Sequence, residues 1–287
     1  MAVGDFYFVS NFYDRILRRI GGYPGTDDDR SQYLRPDGAG QPSGLAIDPA
    51  NGSLYWFDSI TRRIYWSNRS INFSGDQPSW DRGLVSYDSG QRIGGARGLA
   101  LDSVKRLYLI NTRTNKIHRR SAEYPGGVWD DGIDIPAGMT RETNVAIDLQ
   151  DRLYVCDNAK AFQRIGGYPG TRWDSGIDFP TNRREVVDID FDENGDMYLF
   201  NSNVGQVHKR AGGYSGRSWD AGLYTTLNSL DDGLIAMSIW RTPPPPSPAG
   251  LVLDGTTIVT PTSHKLAIGS TELGGMAIGD QIVYESD

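Results

Sequence analysis

The chain has 287 residues, of which 35 are Gly and 11% are aromatic, and its formal net charge is −7. This length allows one large all-β domain or two ordinary domains, each able to bury a substantial core. The acidic balance argues against nonspecific binding of nucleic acid, because the phosphate backbone requires a basic surface.

The N-terminal segment, residues 1–15, has no basic region followed by an apolar run, so we expect no signal peptide. The single Cys156 excludes an intrachain disulfide framework. No run approaches about 18 apolar residues, which predicts that no helix spans a membrane. These features suit the cytoplasm, and they equally suit a particle that is assembled in a cytoplasm and then released.

The dominant pattern is a short strand with Tyr near its start and Asp or Asn at its end. It occurs five times, as DFYFVSN, SLYWFD, RLYLIN, RLYVCD and DMYLFN, ending at residues 11, 58, 111, 157 and 201. Such self-similarity at a fixed period indicates a repeat architecture. The last four copies each follow an apolar run that ends in Asp, namely GLAID (44–48), GLALD (98–102), NVAID (144–148) and VDID (187–190).

A third strand follows each Tyr strand, and several copies then combine Tyr-Pro-Gly with Trp-Asp-x-Gly, as in residues 124–132 and 168–176. Asp can accept backbone N–H bonds within a turn, and Gly supplies a positive φ. Trp offers a large apolar face to a neighbouring unit. We therefore interpret this phrase as a hairpin that leads into a fourth strand, such as LVSYD (84–88).

Four antiparallel strands over roughly 45–50 residues form the period of one β-propeller blade. The chain starts at a second strand, whereas the inner run LIAMSIW (234–240) comes last, with Ser238 at the expected Asp position. We predict an all-β, five-bladed β-propeller in which residues 234–240 complete the blade that residues 5–35 begin. The alternative is six blades, with the C-terminal tail supplying another.

Residues 54–68, LYWFDSITRRIYWSN, resemble a YWTD propeller repeat, and residues 152–165, RLYVCDNAKAFQRI, resemble an NHL repeat. The resemblance covers about residues 5–240 and implies the propeller fold. It implies no single activity, because both families include binding modules and enzymes.

The Trp-Asp phrase also resembles the Asp-box of sialidase-type propellers, whose core is Ser-x-Asp-x-Gly. Residues 79–83 and 218–222 fit this core, whereas residues 128–132 and 172–176 lack the Ser, and residues 26–29 have no Trp. The aromatic residue expected after the Gly is missing or displaced, so we predict only an Asp-box-like turn. In Asp-box propellers these turns lie away from the active site, which implies a structural role.

Residues that recur at equivalent positions are expected to serve packing. We expect four Trp residues to pack between blades, the alternative being a ring of sugar-stacking platforms: Trp80, Trp129, Trp173 and Trp219. Four Tyr residues are expected in blade cores: Tyr55, Tyr108, Tyr154 and Tyr198. Four carboxylates are expected to bind turn amides, a metal role being the alternative: Asp48, Asp102, Asp148 and Asp190.

The loops on the opposite face differ between copies, which marks surface that packing does not fix. They carry many basic residues for an acidic chain, and ordinary solvated charge is the alternative explanation. Arg forks with Asp or Asn side chains suit an anionic or polyhydroxylated ligand such as a surface glycan. The predicted ligand-binding residues are Arg62, Arg97, Arg113, Lys160, Arg183, Arg184, Asp58, Asn111, Asp157 and Asn201.

The chain contains no GxSxG, HExxH, P-loop or CxxC pattern, so we predict no catalytic residue, metal ligand or cofactor. His118 and His208 occupy equivalent third-strand positions, which indicates a role in the repeat. The alternative is a calcium-dependent lactonase or lyase with its ion near the axis. Its ligands would be four of the residues named above, Asp58, Asn111, Asp157 and Asn201.

The stretch TPPPPSP, residues 242–248, predicts a stiff linker between a propeller, residues 1–241, and a β-rich tail, residues 249–287. LDGT at residues 253–256 is a hairpin signal. A tail of about forty residues is too short for a comfortable core of its own. We therefore expect it to dock on the propeller or to pair with a partner.

We predict a non-enzymatic binding and assembly module, namely a structural or receptor-binding component of a bacteriophage virion that contacts a host-surface glycan. It would belong to an oligomer and bind other virion or assembly proteins through residues 249–287. The predicted localisation is the virion, with the cytoplasm as the alternative. The other two hypotheses are the metal-dependent lactonase or lyase and a cytosolic scaffold that binds proteins.

Overall fold

The chain forms two compact units, Met1–Pro243 and Pro244–Asp287. Our computed structural model describes residues 4–10, 15–23, 30–33, 35–67, 79–81, 83–85, 96–139, 144–180, 186–201, 204–224, 234–241, 251–253, 257–259, 265–268, 271–278 and 281–285. No helix in these ranges is long and apolar enough to cross a membrane.

The first unit is an all-β, five-bladed propeller, which confirms the predicted fold and blade number. Blade 1 contains β1 (Phe6–Ser10), β2 (Arg15–Arg19) and β3 (Arg30–Tyr33). Blade 2 contains β4 (Pro42–Ile47), β5 (Leu54–Asp58), β6 (Arg63–Trp66) and β7 (Leu84–Val85). Blade 3 contains β8 (Ala96–Leu101), β9 (Leu107–Asn111), β10 (Lys116–Arg119) and β11 (Ile133–Asp134).

Blade 4 contains β12 (Asn144–Ile147), β13 (Leu153–Cys156), β14 (Lys160–Ile165), β15 (Arg172–Trp173) and β16 (Ile177–Asp178), and both of the last two strands pair with β14. Blade 5 contains β17 (Val186–Phe191), β18 (Met197–Asn201), β19 (Gln206–Arg210) and β20 (Leu223–Tyr224). The last strand of the unit, β21 (Leu234–Ile239), returns to blade 1.

Ring closure follows the prediction from the sequence. Strand β21 pairs antiparallel with β1, with Phe6 opposite Ile239 and Tyr7 opposite Ser238. The backbone of Trp240 extends this pairing through hydrogen bonds to Gly4 and Asp5. The first blade therefore contains strands from both ends of the propeller sequence.

The second strand of each blade is buried along its whole length, because neighbouring blades cover both of its faces. The four predicted core tyrosines are buried, which confirms that prediction: Tyr55, Tyr108, Tyr154 and Tyr198. Burial on both faces explains why these strands read as continuous apolar runs rather than alternating ones.

An Asp side chain accepts hydrogen bonds from backbone N–H groups in the turn after each of three inner strands. This confirms the prediction for Asp48, Asp102 and Asp148. Asp102 Oδ1 accepts hydrogen bonds from the backbone N–H groups of Val104 and Arg106, and its Oδ2 accepts one from the Tyr108 hydroxyl. Asp148 makes the same set of contacts, and Asp48 accepts a bond from the N–H of Ala50.

The prediction for Asp190 is wrong, and Asp192 takes the turn position instead. Asp192 accepts bonds from the N–H groups of Asn194 and Asp196 and from the Tyr198 hydroxyl. The ladder places Asp190 opposite Tyr198, just as Ala46 lies opposite Tyr55. The same register places Ser238 opposite Tyr7, so Trp240 rather than Ser238 stands at the Asp position of blade 1.

The repeated Trp-Asp-x-Gly phrase forms the predicted turn. Asp174 Oδ1 accepts bonds from the N–H groups of Gln163 and Gly176, and Gly176 has a φ of +76°. The same contacts recur in three other blades through Asp81, Asp130 and Asp220. The turn chemistry is therefore confirmed, whereas the likeness to Asp-box propellers stays a prediction.

The Tyr of each Tyr-Pro-Gly or Tyr-Ser-Gly phrase connects its blade to the preceding one. The Tyr214 hydroxyl donates a hydrogen bond to Asp174 Oδ2 at 2.6 Å, across the junction of blades 5 and 4. Equivalent Tyr–Asp bonds join two other junctions, Tyr124 with Asp81 and Tyr23 with Asp220, and the Tyr168 hydroxyl of blade 4 donates to the Ile117 carbonyl of blade 3. The Tyr of one repeated phrase thus contacts the preceding blade at or near the Trp-Asp turn of that blade.

The repeated Trp residues pack beside arginines of their own blade. The guanidinium carbons of Arg120, Arg164 and Arg210 lie 5.2–5.8 Å from the ring centroids of three Trp residues: Trp129, Trp173 and Trp219. Trp80 packs against Trp56 in the core beside blade 2. These contacts support packing as the main role of the Trp series.

The second unit contains β22 (Leu251–Leu253) paired with β23 (Thr257–Val259), which forms the hairpin predicted around LDGT. A separate antiparallel sheet contains β24 (Lys265–Ile268), β25 (Thr271–Ile278) and β26 (Gln281–Glu285). The predicted Pro-rich linker, residues 242–248, lies outside the described residues.

Candidate functional site

The five inner strands β4, β8, β12, β17 and β21 surround a narrow axial cavity of about 20 Å³. That volume has room for about one water molecule. Strands β8 and β12 approach each other closely here. A Cβ atom added to Gly98 would lie only 2.1 Å from Asn144 Oδ1. A substrate of ordinary size needs several hundred Å³, so it cannot occupy this cavity.

Strand β17 breaks the apolar pattern of the inner strands by placing two carboxylates at the axis. Asp190 lies opposite Tyr198, a ladder position that Ala occupies in blades 2, 3 and 4. Asp188 precedes it by two residues and lies on the same face of the strand. The sequence analysis missed this signal, because it had assigned Asp190 to the turn.

The two carboxylates satisfy the open edge of the closing strand β21. Asp188 Oδ2 accepts a hydrogen bond of 2.7 Å from the N–H of Met237, and Asp190 Oδ2 accepts one of 2.8 Å from the N–H of Ile239. The Ser238 hydroxyl also donates to Asp190 Oδ2. Strand β21 is therefore held on one edge by β1 and on the other by two side chains.

Arg241 follows the closing strand and crosses the axis. Its Nη2 donates a hydrogen bond of 2.8 Å to the Ile147 carbonyl, and its Nη1 lies 3.9 Å from Asp190 Oδ1. Its side chain is only 12% exposed. Two carboxylates and one guanidinium thus face each other in this region, which leaves one negative charge to be neutralised.

Burial raises the pKa of Asp188 well above the usual range of a carboxyl, and the charge of Asp190 adds to the shift. Burial also raises the pKa of Asp190, although Arg241 and two backbone N–H groups oppose this shift. Asp188 Oδ1 is buried and has no hydrogen-bond partner among the described residues. A proton on Asp188 removes the uncompensated charge.

We expect the Asp188→Asn variant to lose part of the pH dependence of stability. Because the pKa of Asp188 is higher in the folded state than in the unfolded chain, the contribution of Asp188 to the free energy of unfolding is fully present below the ordinary carboxyl range. This contribution decreases as the pH rises from the ordinary carboxyl range through the raised pKa. Urea denaturation across that range should give a flatter profile for Asp188→Asn than for the matched exposed variant Asp37→Asn. An unchanged slope in Asp188→Asn would contradict the assignment.

The four predicted Asp and Asn ligands are buried in turns on the loop face: Asp58, Asn111, Asp157 and Asn201. Asp58 Oδ1 accepts bonds from the N–H groups of Ile60 and Thr61, and Asp157 Oδ1 binds the N–H groups of Ala159 and Lys160. These bonds explain the repeat without a ligand. The prediction that these side chains contact a ligand gains no support from this geometry.

The predicted basic ligands fall into three groups. Arg62, Arg97 and Arg113 are exposed, and their side chains make no hydrogen bond or salt bridge within the described residues. Lys160 Nζ lies 3.2 Å from Asp178 Oδ1, so it is already paired. Arg183 and Arg184 lie outside the described residues.

Basic residues near the inner-strand turns on the other side of the propeller are paired. Arg106 Nε and Arg152 Nε each lie 2.6 Å from the carboxylate of the preceding turn, Asp102 and Asp148 respectively. Lys105 Nζ lies 3.0 Å from Asp48 Oδ2. The three exposed arginines therefore give the loop face a positive charge that these turns do not have.

The two equivalent histidines serve the repeat. His118 Nδ1 lies 2.9 Å from the Asp130 carbonyl, and a Cβ on Gly132 would contact its ring. His208 stands in the same relation to Asp220 and Gly222. No group of three or more His, Cys, Asp or Glu residues that could hold a metal occurs in the described part of the chain.

No family model matches the chain. Protein cueball of Drosophila ananassae is 30% identical over 134 residues, which cover 45% of this chain and 19% of that protein. Protein cueball of Drosophila persimilis is 28% identical over 134 residues, with the same coverage. The chain spans about a fifth of the length of the curated relatives it matches.

Solved structures with similar folds include propellers of the NHL and YWTD type. A chain of the nidogen/laminin complex gives a TM-score of 0.53 at 13% identity, covering 82% of this chain and 98% of that one. A streptogramin B lyase structure gives a TM-score of 0.45 at 16% identity, covering 80% and 68%. At 13% identity the likeness to the chain of the nidogen/laminin complex shows the fold alone: the first unit of the chain is a five-bladed β-propeller.

Proposed function

We propose that the chain is a non-enzymatic binding module whose loop face engages an anionic surface glycan. The observation that carries the proposal is the set of exposed guanidinium groups of Arg62, Arg97 and Arg113, which have no partner among the described residues. Guanidinium groups recognise carboxylate and sulfate oxygens by paired hydrogen bonds. A guanidinium group that has no partner in the protein is available for such a ligand. The likeness to a chain of the nidogen/laminin complex supports binding as a use of this fold.

Assembly is the second part of this proposal. We assign the attachment of partner proteins to residues 249–287, and we expect the propeller to act as part of an oligomer. The tail contains short strands with edges that a partner strand can extend. No comparison supports a bacteriophage virion, and that localisation stays a prediction, with the cytoplasm as its alternative.

Reversing the loop-face charge should strongly weaken the binding of an anionic polysaccharide. We expect the triple variant with Arg62→Glu, Arg97→Glu and Arg113→Glu to lose at least about 100-fold in affinity for an anionic glycan, because attractive contacts become repulsive. The measurement is surface plasmon resonance on heparin at several salt concentrations, since exposed charge contacts weaken with salt. Binding of the unmodified protein should decrease steeply as salt rises.

Single variants give the control for this test. Arg113→Glu and Arg217→Glu make the same charge change at exposed positions, but Arg217 lies in the hairpin of blade 5 rather than in a loop-face turn. Only Arg113→Glu should weaken heparin binding. Equal losses in both variants would show a nonspecific charge effect and contradict the loop-face site. Binding of a protein but of no glycan would favour the scaffold hypothesis instead.

The second candidate function is a metal-dependent lactonase or lyase. The observation that favours it is the pair of axial carboxylates Asp188 and Asp190, which break the repeat where the inner strands meet. Their position replaces Asp58, Asn111, Asp157 and Asn201 as the best place for an ion on the axis.

Calcium separates the two candidate functions. For the binding module, we expect millimolar calcium to leave the melting temperature unchanged, because a binding module needs no ion at its axis. For the enzyme, a bound ion would raise the melting temperature by an amount that grows with the logarithm of the ratio of its concentration to its dissociation constant. Asp188→Asn is the control, since it must remove any calcium effect that arises at the axis. A rise that this variant abolishes would overturn the non-enzymatic proposal.

A further inference from the structure

A cleft of about 710 Å³ opens at the outer rim between blades 3 and 4. Residues 132–137 of blade 3 form one wall, and residues 171–175 of the blade 4 hairpin form the other. Phe162 and Trp173 contribute aromatic surface to it. This volume lies in the range of small-molecule sites, whereas the axial cavity does not.

Trp173 is fixed in this cleft as a rigid platform. Its Nε1 donates a hydrogen bond of 2.9 Å to the Asp134 carbonyl of the preceding blade. The guanidinium of Arg164 lies over the ring, 5.2 Å from its centroid. The ring remains partly exposed and lines the cleft. A bound ligand would therefore meet an aromatic surface that needs no reordering.

A single residue difference accounts for the opening. At the next junction, Phe179 packs edge-on against Trp219, with ring centroids 5.8 Å apart. Ile135 is the equivalent residue beside Trp173, because each of the two donates its N–H to the residue before the third strand, Asn115 for Ile135 and Ala159 for Phe179. The smaller aliphatic side chain leaves space that the Phe ring fills one blade later.

The polar groups of the cleft are available to a ligand. Four side chains on its rim make no hydrogen bond or salt bridge within the described residues: Asp134, Thr171, Arg172 and Ser175. Arg164 is only 8% exposed, and its Nη2 donates a hydrogen bond of 2.5 Å to the Gly170 carbonyl, so it supports Trp173 from within the blade. Burial lowers the pKa of Arg164, and the charge of Asp134 opposes this shift.

We propose that this cleft binds an acidic monosaccharide unit, a hexuronic acid, with the pyranose ring against Trp173 and the carboxylate on Arg172. The apolar C–H face of a pyranose suits an aromatic surface, and its hydroxyl groups suit the Asp134, Thr171 and Ser175 side chains. The exposed guanidinium of Arg172, which has no partner among the described residues, can pair with a sugar carboxylate and so favours an acidic sugar over a neutral one. This site does not depend on the loop-face arginines.

The test compares methyl glucuronide with methyl glucoside, which differ only at the carboxylate. We expect the glucuronide to shift the indole N–H resonance of Trp173 with a dissociation constant on the order of 1 mM, since a monosaccharide offers few atoms for binding. The Trp173→Phe variant assigns the resonance. Absence of a glucuronide-dependent shift at saturating ligand would overturn the proposal.

Ile135→Phe is the decisive variant, because it copies the packing that the next junction already uses. We expect it to weaken glucuronide binding by at least about ten-fold, since the added ring fills the space the sugar needs. Its melting temperature shows whether it folds. Phe179→Ile is the matched control on the other side of blade 4, and it should leave binding at Trp173 unchanged. Unaltered binding in a folded Ile135→Phe protein would refute the site.

Arg172→Gln tests the acidic preference with an exposed residue that folding does not require. It should lower glucuronide affinity by about ten-fold and leave the glucoside response unchanged, because only the glucuronide carries a charge for Arg172. Equal binding of both sugars would overturn the acidic class. The triple loop-face variant should retain full glucuronide binding, so failure of the loop-face proposal and failure of this one are distinguishable.

Discussion

Replacing Asp174 with Ala is expected to lower the free energy of unfolding by about 3 kcal/mol, because three hydrogen-bond donors lose their acceptor at once. Two of them are the backbone N–H groups of Gln163 and Gly176, and the third is the Tyr214 hydroxyl of the next blade. The change breaks the turn of blade 4 and its connection to blade 5 together. Urea denaturation at neutral pH measures the loss.

Two further variants separate the turn from the junction. Tyr214→Phe removes only the bond between blades, and we expect it to cost about 1 kcal/mol. The Asp174→Ala, Tyr214→Phe double variant should then lose less than the sum of the single variants, because the two side chains share one bond. Strictly additive losses would show that the Tyr–Asp contact does not hold the blades together.

Replacing Asp190 with Ala should lower the free energy of unfolding by about 3–4 kcal/mol, because it leaves the mostly buried Arg241 without its carboxylate. The N–H of Ile239 and the Ser238 hydroxyl lose their acceptor as well. Ala occupies the equivalent position in three other blades, so the change introduces no steric conflict in the strand. The loss therefore reports on the bonds to the closing strand.

Removing the unpaired cation provides the control for Asp190. The double variant Asp190→Ala with Arg241→Met should recover part of the lost stability, because no buried charge then remains without a partner. Chemical denaturation of the two variants gives the comparison. If the double variant were less stable than Asp190→Ala alone, Arg241 would stabilise the ring by its bond to Ile147 rather than through Asp190.

The blades and their closure could be predicted because each depends on local pattern. A strand covered on both faces must be apolar throughout, and an Asp followed two residues later by Gly forms a turn from neighbouring atoms. These features recur about every 45–50 residues, so the repeat can be recognised from the sequence. The first blade lacks an inner strand of its own, and the last inner run lacks a second strand after it. The two were therefore predicted to pair.

The register of blade 5 could not be read in the same way. Asp188 and Asp190 alternate along β17 and Asp192 directly follows its end, and each of the three follows an apolar residue. The ending VDID resembles NVAID, although the turn actually begins two residues later. The segment Glu193–Asp196 after Asp192 was the available signal, because its Asn and Gly match the Asn51-Gly52 pair of the blade 2 turn.

The contacts between blades were beyond the sequence analysis because their partners are remote. Tyr214 and Asp174 are 40 residues apart, and no local pattern states that one Tyr-Pro-Gly phrase binds the Trp-Asp phrase of another blade. The rim cleft was hidden for a related reason. The difference between Ile135 and Phe179 is conservative in hydropathy and matters only when a second blade lies beside it.

The closing strand has a consequence for how the protein is made. During synthesis the three outer strands of blade 1 leave the ribosome first, and the inner strand they require leaves after all the other blades. Until then the inner edge of β1 is an open template with unpaired N–H and C=O groups. A nascent chain that meets another copy at this stage can pair this open edge with the closing strand β21 of that copy, so paired misassembly is the hazard that this order of synthesis creates.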